Sequence, residues 1–312
     1  MARLVLIGLL AGFFFSSTFV LNRMMSLAGG HWVWSAGLRY MHMVWLLTIG
    51  LLAFRGRAAV RRILGIYISH LGFWTAAGSI GFGAFYALIC YSADHAPGWI
   101  VATTWQSTII ATLVVLMGFG RRFPKRIWAF SIIVFAGVCM VNISRAGTAE
   151  LSDLLKGALP VLVAAFCYPV GNQLVWEAGA GRKGLPCIDA PELAHPFTRV
   201  LLLSLGSVPF WCLLAAVTAP PPPSGGQILD TALVALLSGV LATSLFLLAR
   251  SEAATGGQLA AVDATQSSEV VFALAGEVLI IGAPLPNSLA VAGMLVTAVG
   301  LMLFIRFQEA AV

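Results

Sequence analysis

Long apolar runs separated by short polar breaks dominate the pattern of this chain. A helix needs about 20 apolar residues to cross a hydrocarbon core of about 30 Å. Ten runs have that length, and Gly- or Pro-rich breaks such as Ala96-Pro97-Gly98 and Pro220–Pro223 separate them. The pattern therefore predicts ten transmembrane helices, over residues 4–23, 32–54, 68–92, 98–119, 127–144, 156–176, 197–217, 228–250, 258–281 and 287–306.

Composition supports this interpretation. Charged residues make up 10% of the 312 residues, whereas a soluble domain carries about 25%. A chain this apolar has too little polar surface to cover itself, so lipid must be the solvent for much of it. The longest connection, 177–195, is too short for a folded domain. The predicted fold is an all-α polytopic membrane protein whose function lies between its helices.

The basic residues predict the orientation of the helices. Two of the 18 Lys and Arg residues, Arg39 and Arg199, lie inside apolar runs, and three lie in connections on one side. The other 13 lie on the side of the N-terminus, which the positive-inside rule assigns to the cytoplasm together with the C-terminus. Short loops favour a bacterial inner membrane. The 13 are Arg3, Arg55, Arg57, Arg61, Arg62, Arg121, Arg122, Lys125, Arg126, Arg182, Lys183, Arg250 and Arg306.

A weak internal repeat runs through the chain. The pair Gln106-Ser107 recurs as Gln266-Ser267, and the same sequence offset separates Arg39 from Arg199. We therefore expect two five-helix repeats, residues 1–145 and 146–312. Five is an odd number, so the second repeat enters the membrane inverted, and inverted repeats place a substrate site near the midplane at their interface.

Several motifs together resemble the drug/metabolite transporter superfamily (EamA-like) and, more narrowly, its ten-helix multidrug-resistance efflux branch. The resemblance implies a central cavity lined by helices 1, 3, 4, 6, 8 and 9. Four-helix relatives place an essential Glu in helix 1, but Phe13–Thr18 holds no carboxylate, so their mechanism does not carry over. The motifs are Gly8–Gly12, Asn22-Arg23, Leu38-Arg39-Tyr40, Thr104–Thr108, the basic turn Arg121–Arg126 and Gln266–Glu277.

Helix 9 carries three carboxylates, each of which costs about 2.5–3.5 kcal/mol to insert at the membrane centre. At 100° per residue, Asp263, Gln266, Ser267 and Glu277 fall on one arc, with Glu269 to one side. We expect this stripe to line the transport cavity. Glu269, deepest in the run, leads as the proton-coupling acid, ahead of Glu277 and Asp263. The alternative for Glu277 is a structural pairing with a helix terminus or an Arg.

Further polar residues are candidates for the cavity or for structural roles. In helix 4, Thr104, Trp105 and Gln106 occupy the place equivalent to the helix 9 stripe, and interhelical hydrogen bonding is their alternative role. Arg39 lies about seven residues inside helix 2, where a structural pair with a carboxylate such as Asp94 is favoured over substrate binding. The candidate cavity residues that close helices 1 and 6 are Asn22 and Asn172.

These features predict a secondary active transporter that exports small organic solutes, with lipophilic drugs or cations as the named class and protons as the coupling ion. The sequence contains no HExxH, GxSxG or GxxxxGK[ST] motif, so we expect neither an enzyme nor an ATP-driven pump. No cofactor, metal or nucleic acid is expected, and the protein is predicted to be a monomer or homodimer. The alternatives are an amino-acid or metabolite exporter and, remotely, a membrane enzyme acting on a lipid-linked substrate through His195, Asp189 and Glu192.

Overall fold

The computed structural model describes residues 1–145, 150–182 and 184–308. Within these ranges ten helices are long and apolar enough to cross a membrane, which confirms the predicted all-α polytopic fold. Lys183 and the predicted start of the second repeat at residue 146 lie outside the described residues. The helices are α1 (Ala2–Leu27), α2 (Trp32–Ser69), α3 (Leu71–His95), α4 (Gly98–Gly118), α5 (Lys125–Ile143), α6 (Leu151–Gly179), α7 (Pro196–Thr218), α8 (Gly225–Glu252), α9 (Gly256–Ile281) and α10 (Ser288–Phe307).

The predicted end of helix 2 at residue 54 lies beside a break in α2 at Gly56, and a second helical stretch follows the break to Ser69. Gly56 kinks the helix with a φ of +78°, which a glycine adopts without the steric penalty of a side chain. Beyond the kink Ala59 and Ile63 are buried on one face, while the basic side chains, including Arg61, are exposed. The basic segment therefore forms an amphipathic helix instead of the expected loop.

The contacts between helices follow a regular scheme. Helix α1 packs against α8 and α9, and α6 packs against α3 and α4. Helix α2 packs against α8, and α7 packs against α3. Three further contacts pair α2 with α7, α4 with α9, and α5 with α10. A shift of five helices, with α1 following α10, turns the contacts of α1 into those of α6, and the contact of α2 with α8 into that of α7 with α3. The same shift leaves the last three contacts unchanged, because it only exchanges their two partners.

Small residues allow close contact where the first five helices meet the last five. A Cβ on Gly81 of α3 would lie 2.8 Å from the Cα of Gly171 in α6. A Cβ on Gly137 of α5 would lie 2.6 Å from the carbonyl oxygen of Gly293 in α10. Such contacts are typical of membrane helices, which associate through van der Waals packing of small residues.

Four of the helices are irregular at matching places. Helix α4 is interrupted between Trp105 and Thr108, and α9 forms a 3₁₀ turn over Thr265–Ser267. Helix α3 contains a π-helical segment, Ser79–Ala84, and α8 contains another, Ala235–Ala242. Irregular turns of this kind occur often at functional sites because they re-aim side chains and free backbone groups.

Candidate functional site

A cavity of about 290 Å³ lies between the two sets of five helices. Eight helices contribute to its wall, and the described residues of α5 and α10 do not. The resemblance implied six of these helices, and the structure adds α2, through residues such as Arg39, and α7, through Val200. The volume is close to the lower end of the range usual for small-ligand pockets, about 300–1,000 Å³, which suits one small solute.

The interrupted turns of α4 and α9 both reach the cavity. Gln106 and Gln266, which hold matching places in the internal repeat, both line it. At the break in α4 the amide of Gln106 donates to the carbonyl of Thr103, and the amide of Ser107 donates to that of Thr104, each at 3.1 Å. These shorter-range bonds tighten the helix locally, so the two glutamines lie at the wall on turns of similar geometry.

Glu269 is the one carboxylate among the described lining residues. Its side chain lies three residues after Gln266, on the same face of α9, and it is 8% exposed. Within the described part of the chain it makes no hydrogen bond and no ion pair. An unpaired carboxylate in such a place is stable only when it holds a proton or meets a cation.

Arg39 is the one cation among the described lining residues. Its guanidinium lies 4.0 Å from the ring centroid of Tyr86, and its Nη2 donates to Ser238 Oγ at 3.4 Å. Its buried Nε has no hydrogen-bond partner. A guanidinium carries five N–H donors, and no carboxylate of the described residues pairs with this one.

The expected pairing of Arg39 with Asp94 is wrong. The described residues contain no ion pair between Arg39 and any carboxylate. Asp94 lies near the end of α3, eight residues beyond the Tyr86 ring that Arg39 covers, which is about 12 Å of helix. Its side chain interacts with Ser26 instead.

Three aromatic rings form one side of the cavity. Phe85 lies 4.9 Å from Trp105 and 5.2 Å from Tyr168, and Trp105 lies 5.7 Å from Tyr168, between ring centroids. Trp105 is among the residues that the sequence predicts for the cavity, whereas no signal in the sequence separates Phe85 and Tyr168 from the other aromatic residues of the chain. The rings are tilted against one another, at interplanar angles of 39°, 54° and 75°, and they offer apolar aromatic surface to a solute.

Six of the predicted site residues lie outside the lining. Within α1, α4 and α6 their side chains bond to other residues of the bundle: Asn22 donates to the Tyr86 hydroxyl, Thr104 accepts from Asn142, and exposed Asn172 donates to the Tyr168 carbonyl, each at 2.9 Å. These hydrogen bonds hold the three side chains within the bundle, although the buried Oδ1 of Asn22 has no partner. The remaining three, all on α9, are Asp263, Ser267 and Glu277.

The predicted stripe on α9 is therefore only partly present at the cavity. Asp263 bonds to Arg250, and Ser267 donates to the Ala264 carbonyl at 2.8 Å. Gln266 and Glu269 face the cavity, although the uniform 100° spacing placed Glu269 to one side. The 3₁₀ turn at Thr265–Ser267 advances each residue by about 120°, so a single helical phase does not describe the whole helix.

Glu277 lies at the beginning of α4 instead of in the cavity. It is 1% exposed, and its Oε1 accepts a hydrogen bond from the amide of Gly98 at 2.6 Å. Its Oε2 has no partner. A carboxylate at a helix N-terminus is stabilised by the free amides and by the positive end of the helix dipole. This geometry corresponds to the structural alternative for Glu277.

The cluster suggested for an enzymatic site does not come together. The carboxylate of Glu192 pairs with Arg62 at 2.6 Å, and Asp189 is exposed. Burial, together with Arg55 and Arg199, holds the pKa of His195 below its usual range, and its Nδ1 has no hydrogen-bond partner. Among the described residues of this segment there is thus no histidine–carboxylate pair of the kind that general acid–base catalysis uses.

The fold and the cavity define a class of protein: a multi-pass membrane protein with a cavity of small-molecule size between its helices. A model of the family described as "EmrE: Putative multidrug resistance efflux transporter" matches residues 2–310. The chain therefore belongs to this family, in agreement with the resemblance drawn from its motifs.

Two curated relatives and one solved structure cover between 78% and 96% of the chain. It is 35% identical over 317 residues to the "Uncharacterized protein YjlA" of Bacillus subtilis, covering 96% of this chain and 94% of that protein. It is 36% identical over 260 residues to an uncharacterized 42.1 kDa protein of Shouchella clausii, covering 78% and 64% respectively. A solved structure described as "Crystal structure of protein" matches with a TM-score of 0.58 at 14% identity, over 96% of this chain and 95% of that one, a likeness of fold alone.

Proposed function

We propose that this protein is a secondary exporter of small organic solutes, driven by exchange of a proton at Glu269. The observation that carries the proposal is a lone carboxylate, 8% exposed and unpaired among the described residues, in the wall of a cavity between two groups of helices. Family membership supports small-molecule efflux in general. The proton coupling is the part that this geometry adds.

Exchange follows from the surroundings of Glu269. When the cavity is empty, the carboxyl group has no positive partner, so burial favours its protonated form. A positively charged group of a solute that enters the cavity stabilises the carboxylate and displaces the proton. Proton and solute then occupy the site alternately, which is the condition for antiport.

Alternating access requires two parts that move against each other. We propose that these are the five-helix repeats 1–145 and 146–312, of which the second is inverted. The scheme of helix contacts supports this, because each contact between the first five helices and the last five has its counterpart five helices away or is its own counterpart. The matching breaks at Gln106 and Gln266 support it as well. Rocking of the repeats would open the cavity to either side in turn.

The direction and the unit of transport complete the proposal. The excess of basic residues on the side of the termini supports a cytoplasmic location for both ends in an inner membrane, so the proton gradient would drive solutes outward. We propose that one chain carries the whole transport site, whether the protein is a monomer or a homodimer, because residues of eight of its helices line the cavity.

Two substrate classes remain for the cavity. Lipophilic drugs or cations agree with the family description and with the aromatic wall of Phe85, Trp105 and Tyr168. An amino-acid or metabolite substrate is favoured by Arg39, because a fixed positive charge in the cavity repels a solute that carries only positive charge.

Transport into proteoliposomes tests the proposal. Vesicles with an acidic lumen should accumulate a suitable solute as protons leave, and both ethidium and radiolabelled phenylalanine serve as probes of the two classes. Glu269→Gln should abolish the dependence on the pH gradient. The matched control is Glu177→Gln, a buried glutamate at the end of α6 that pairs with Arg182 outside the cavity. Gradient-dependent uptake that survives Glu269→Gln would refute the proposed coupling.

A further inference from the structure

We infer that the cavity binds a small zwitterion with an apolar body, whose carboxylate pairs with Arg39 and whose ammonium group pairs with Glu269. This inference rests on the proposed function, since it names the substrate class of the same cavity. The family description gives drug efflux alone, and the charges in the cavity point to a different chemistry.

The carboxylate partner follows from the unmet bonding of Arg39. A charged side chain inside a membrane protein is costly unless it is paired, and it nearly always pairs with an opposite charge or with backbone carbonyls. Here the guanidinium has one long hydrogen bond to Ser238 and a ring contact with Tyr86, and its Nε is unpaired. A carboxylate fits the fork of N–H donors of an arginine better than any neutral group does.

The ammonium partner follows from Glu269. It lies in the same cavity as Arg39, yet the two side chains are too far apart for an ion pair. Tyr168 lines the same cavity as both. The cavity thus presents separated positive and negative charges, and a molecule with both charges satisfies the two ends at once.

The body of the solute is set by the aromatic wall. Phe85, Trp105 and Tyr168 lie within 5.7 Å of one another between ring centroids and present apolar surface to the space in which both charges lie. A volume of about 290 Å³ admits one amino-acid-sized molecule. A lipophilic monocation would meet Arg39 as a like charge, which disfavours it.

A matched ligand series measures each contact separately. The probes are phenylalanine, phenethylamine, which lacks the carboxylate, and 3-phenylpropionate, which lacks the ammonium group, with tetraphenylphosphonium as the lipophilic cation. Their binding to the purified protein in lipid nanodiscs at pH 7 is measured by titration calorimetry. Phenylalanine should bind about tenfold or more tighter than each of the other three, because each charged contact is worth at least that factor.

Variants assign the contacts to residues. Arg39→Gln should lower the affinity for phenylalanine to that for phenethylamine, and Arg39→Lys, which keeps the charge but loses the fork, should fall between. Glu269→Gln should lower it to that for 3-phenylpropionate. The matched control is Arg199→Gln, at the repeat position equivalent to Arg39 and outside the lining, which should leave the series unchanged. Gel filtration identifies any variant that fails to fold. If a variant is lost in this way, the ligand series on the wild-type protein still tests the inference by itself.

Several results would overturn the inference: equal binding of phenylalanine and either single-charge analogue, tightest binding of tetraphenylphosphonium, or no binding of phenylalanine. The series uses no gradient, so it is independent of proton coupling. If the wild-type protein shows the ligand preference but its transport in proteoliposomes does not depend on the pH gradient, only the proposed proton exchange is refuted. If the wild-type protein transports ethidium in exchange for protons but does not prefer phenylalanine over the other ligands, only the inference that the cavity binds a zwitterion is refuted.

Discussion

The first five helices bring a cation into the cavity, and the last five bring an acid. Arg39 of α2 lines the cavity, whereas Arg199, its counterpart in α7, does not, and the neighbouring Val200 takes the place at the wall. Glu269 of α9 lines the cavity, and its counterpart in α4 at the same sequence offset, Ile109, is apolar and also lines it. The two halves therefore supply equivalent positions with different charges.

This difference shows how a symmetric frame can hold an oriented solute. In the proposed repeat architecture, the matching breaks and the matching contacts between the halves would give both halves the same way to pack and to move. The charges do not follow that equivalence, so the cavity has a positive and a negative end. Packing and movement should then respond to changes in both halves, while binding should respond to single charged residues.

The largest effect is expected where the halves touch. Gly171→Leu would place a side chain against the backbone of Gly81, where even a Cβ on the opposing glycine lies 2.8 Å from the Gly171 Cα. Backbone cannot yield as a side chain can, so we expect a loss of about 3 kcal/mol or more and no folded protein on gel filtration. Gly50→Leu is the control, because a Cβ at Gly50 meets no atom within 4 Å. Normal folding of Gly171→Leu would contradict the close contact of α3 and α6.

The next prediction moves the acid from one half to the other. Glu269→Ile should abolish gradient-driven transport, since it removes the lone carboxylate of the described lining. Adding Ile109→Glu places a carboxylate at the equivalent lining position of α4 and should restore a weaker dependence on the pH gradient in proteoliposomes. A folded double variant without any coupling would mean that the two positions are not equivalent.

A smaller effect is expected from the second buried acid of α9. Glu277→Ala leaves the Gly98 amide at the start of α4 without its acceptor, which should lower stability by about 1–3 kcal/mol in a thermal unfolding assay. Glu277→Gln retains an oxygen acceptor and should lose less. Equal destabilisation by both variants would show that the charge of Glu277, rather than its hydrogen bond, supports α4.

The smallest effect concerns the ion pair that joins the amphipathic end of α2 to the segment before α7. The hydrogen bond from Arg62 holds the pKa of Glu192 below its usual range. A carboxylate with a lowered pKa stabilises the folded state above its unfolded pKa of about 4.3, and that contribution is lost as the pH falls through the folded value. Because Arg62 is 61% exposed, Glu192→Gln should cost less than about 1 kcal/mol at pH 7.

Unfolding curves of wild type and Glu192→Gln at pH 7 and at pH 3 measure this contribution. The difference between the two proteins should be present at pH 7 and shrink at pH 3. A difference that grows on acidification would contradict the sign derived from the pKa of Glu192.

The sequence was sufficient for the number and type of helices and for part of the site. Run length and hydrophobicity predict the ten spans, because a bilayer imposes its thickness on any helix that crosses it. Polar residues in apolar runs identified Gln106, Gln266 and Glu269, all of which line the cavity. Polar groups are costly at such depth, and this cost makes them visible in a single sequence.

The remaining features depend on relations between helices that a linear pattern does not contain. The rotation of each helix decides whether a polar residue meets the cavity or a neighbour, and the 3₁₀ turn in α9 changes that rotation in the middle of the stripe. The sequence predicts a carboxylate partner for Arg39, but aromatic faces and hydroxyl groups also bind a guanidinium. Here Arg39 lies over the ring of Tyr86 and donates a hydrogen bond to Ser238. The continuation of α2 past Gly56 was missed because its basic residues resemble a loop.

The most direct test of the account is the release of protons on solute binding. Purified wild-type protein in weakly buffered solution near neutral pH is titrated with phenylalanine while the pH is recorded. If a proton and a solute compete for Glu269, binding should release up to about one proton for each solute bound, and Glu269→Gln should release none. Saturable binding to the wild type without proton release, or equal release from the variant, would contradict the account.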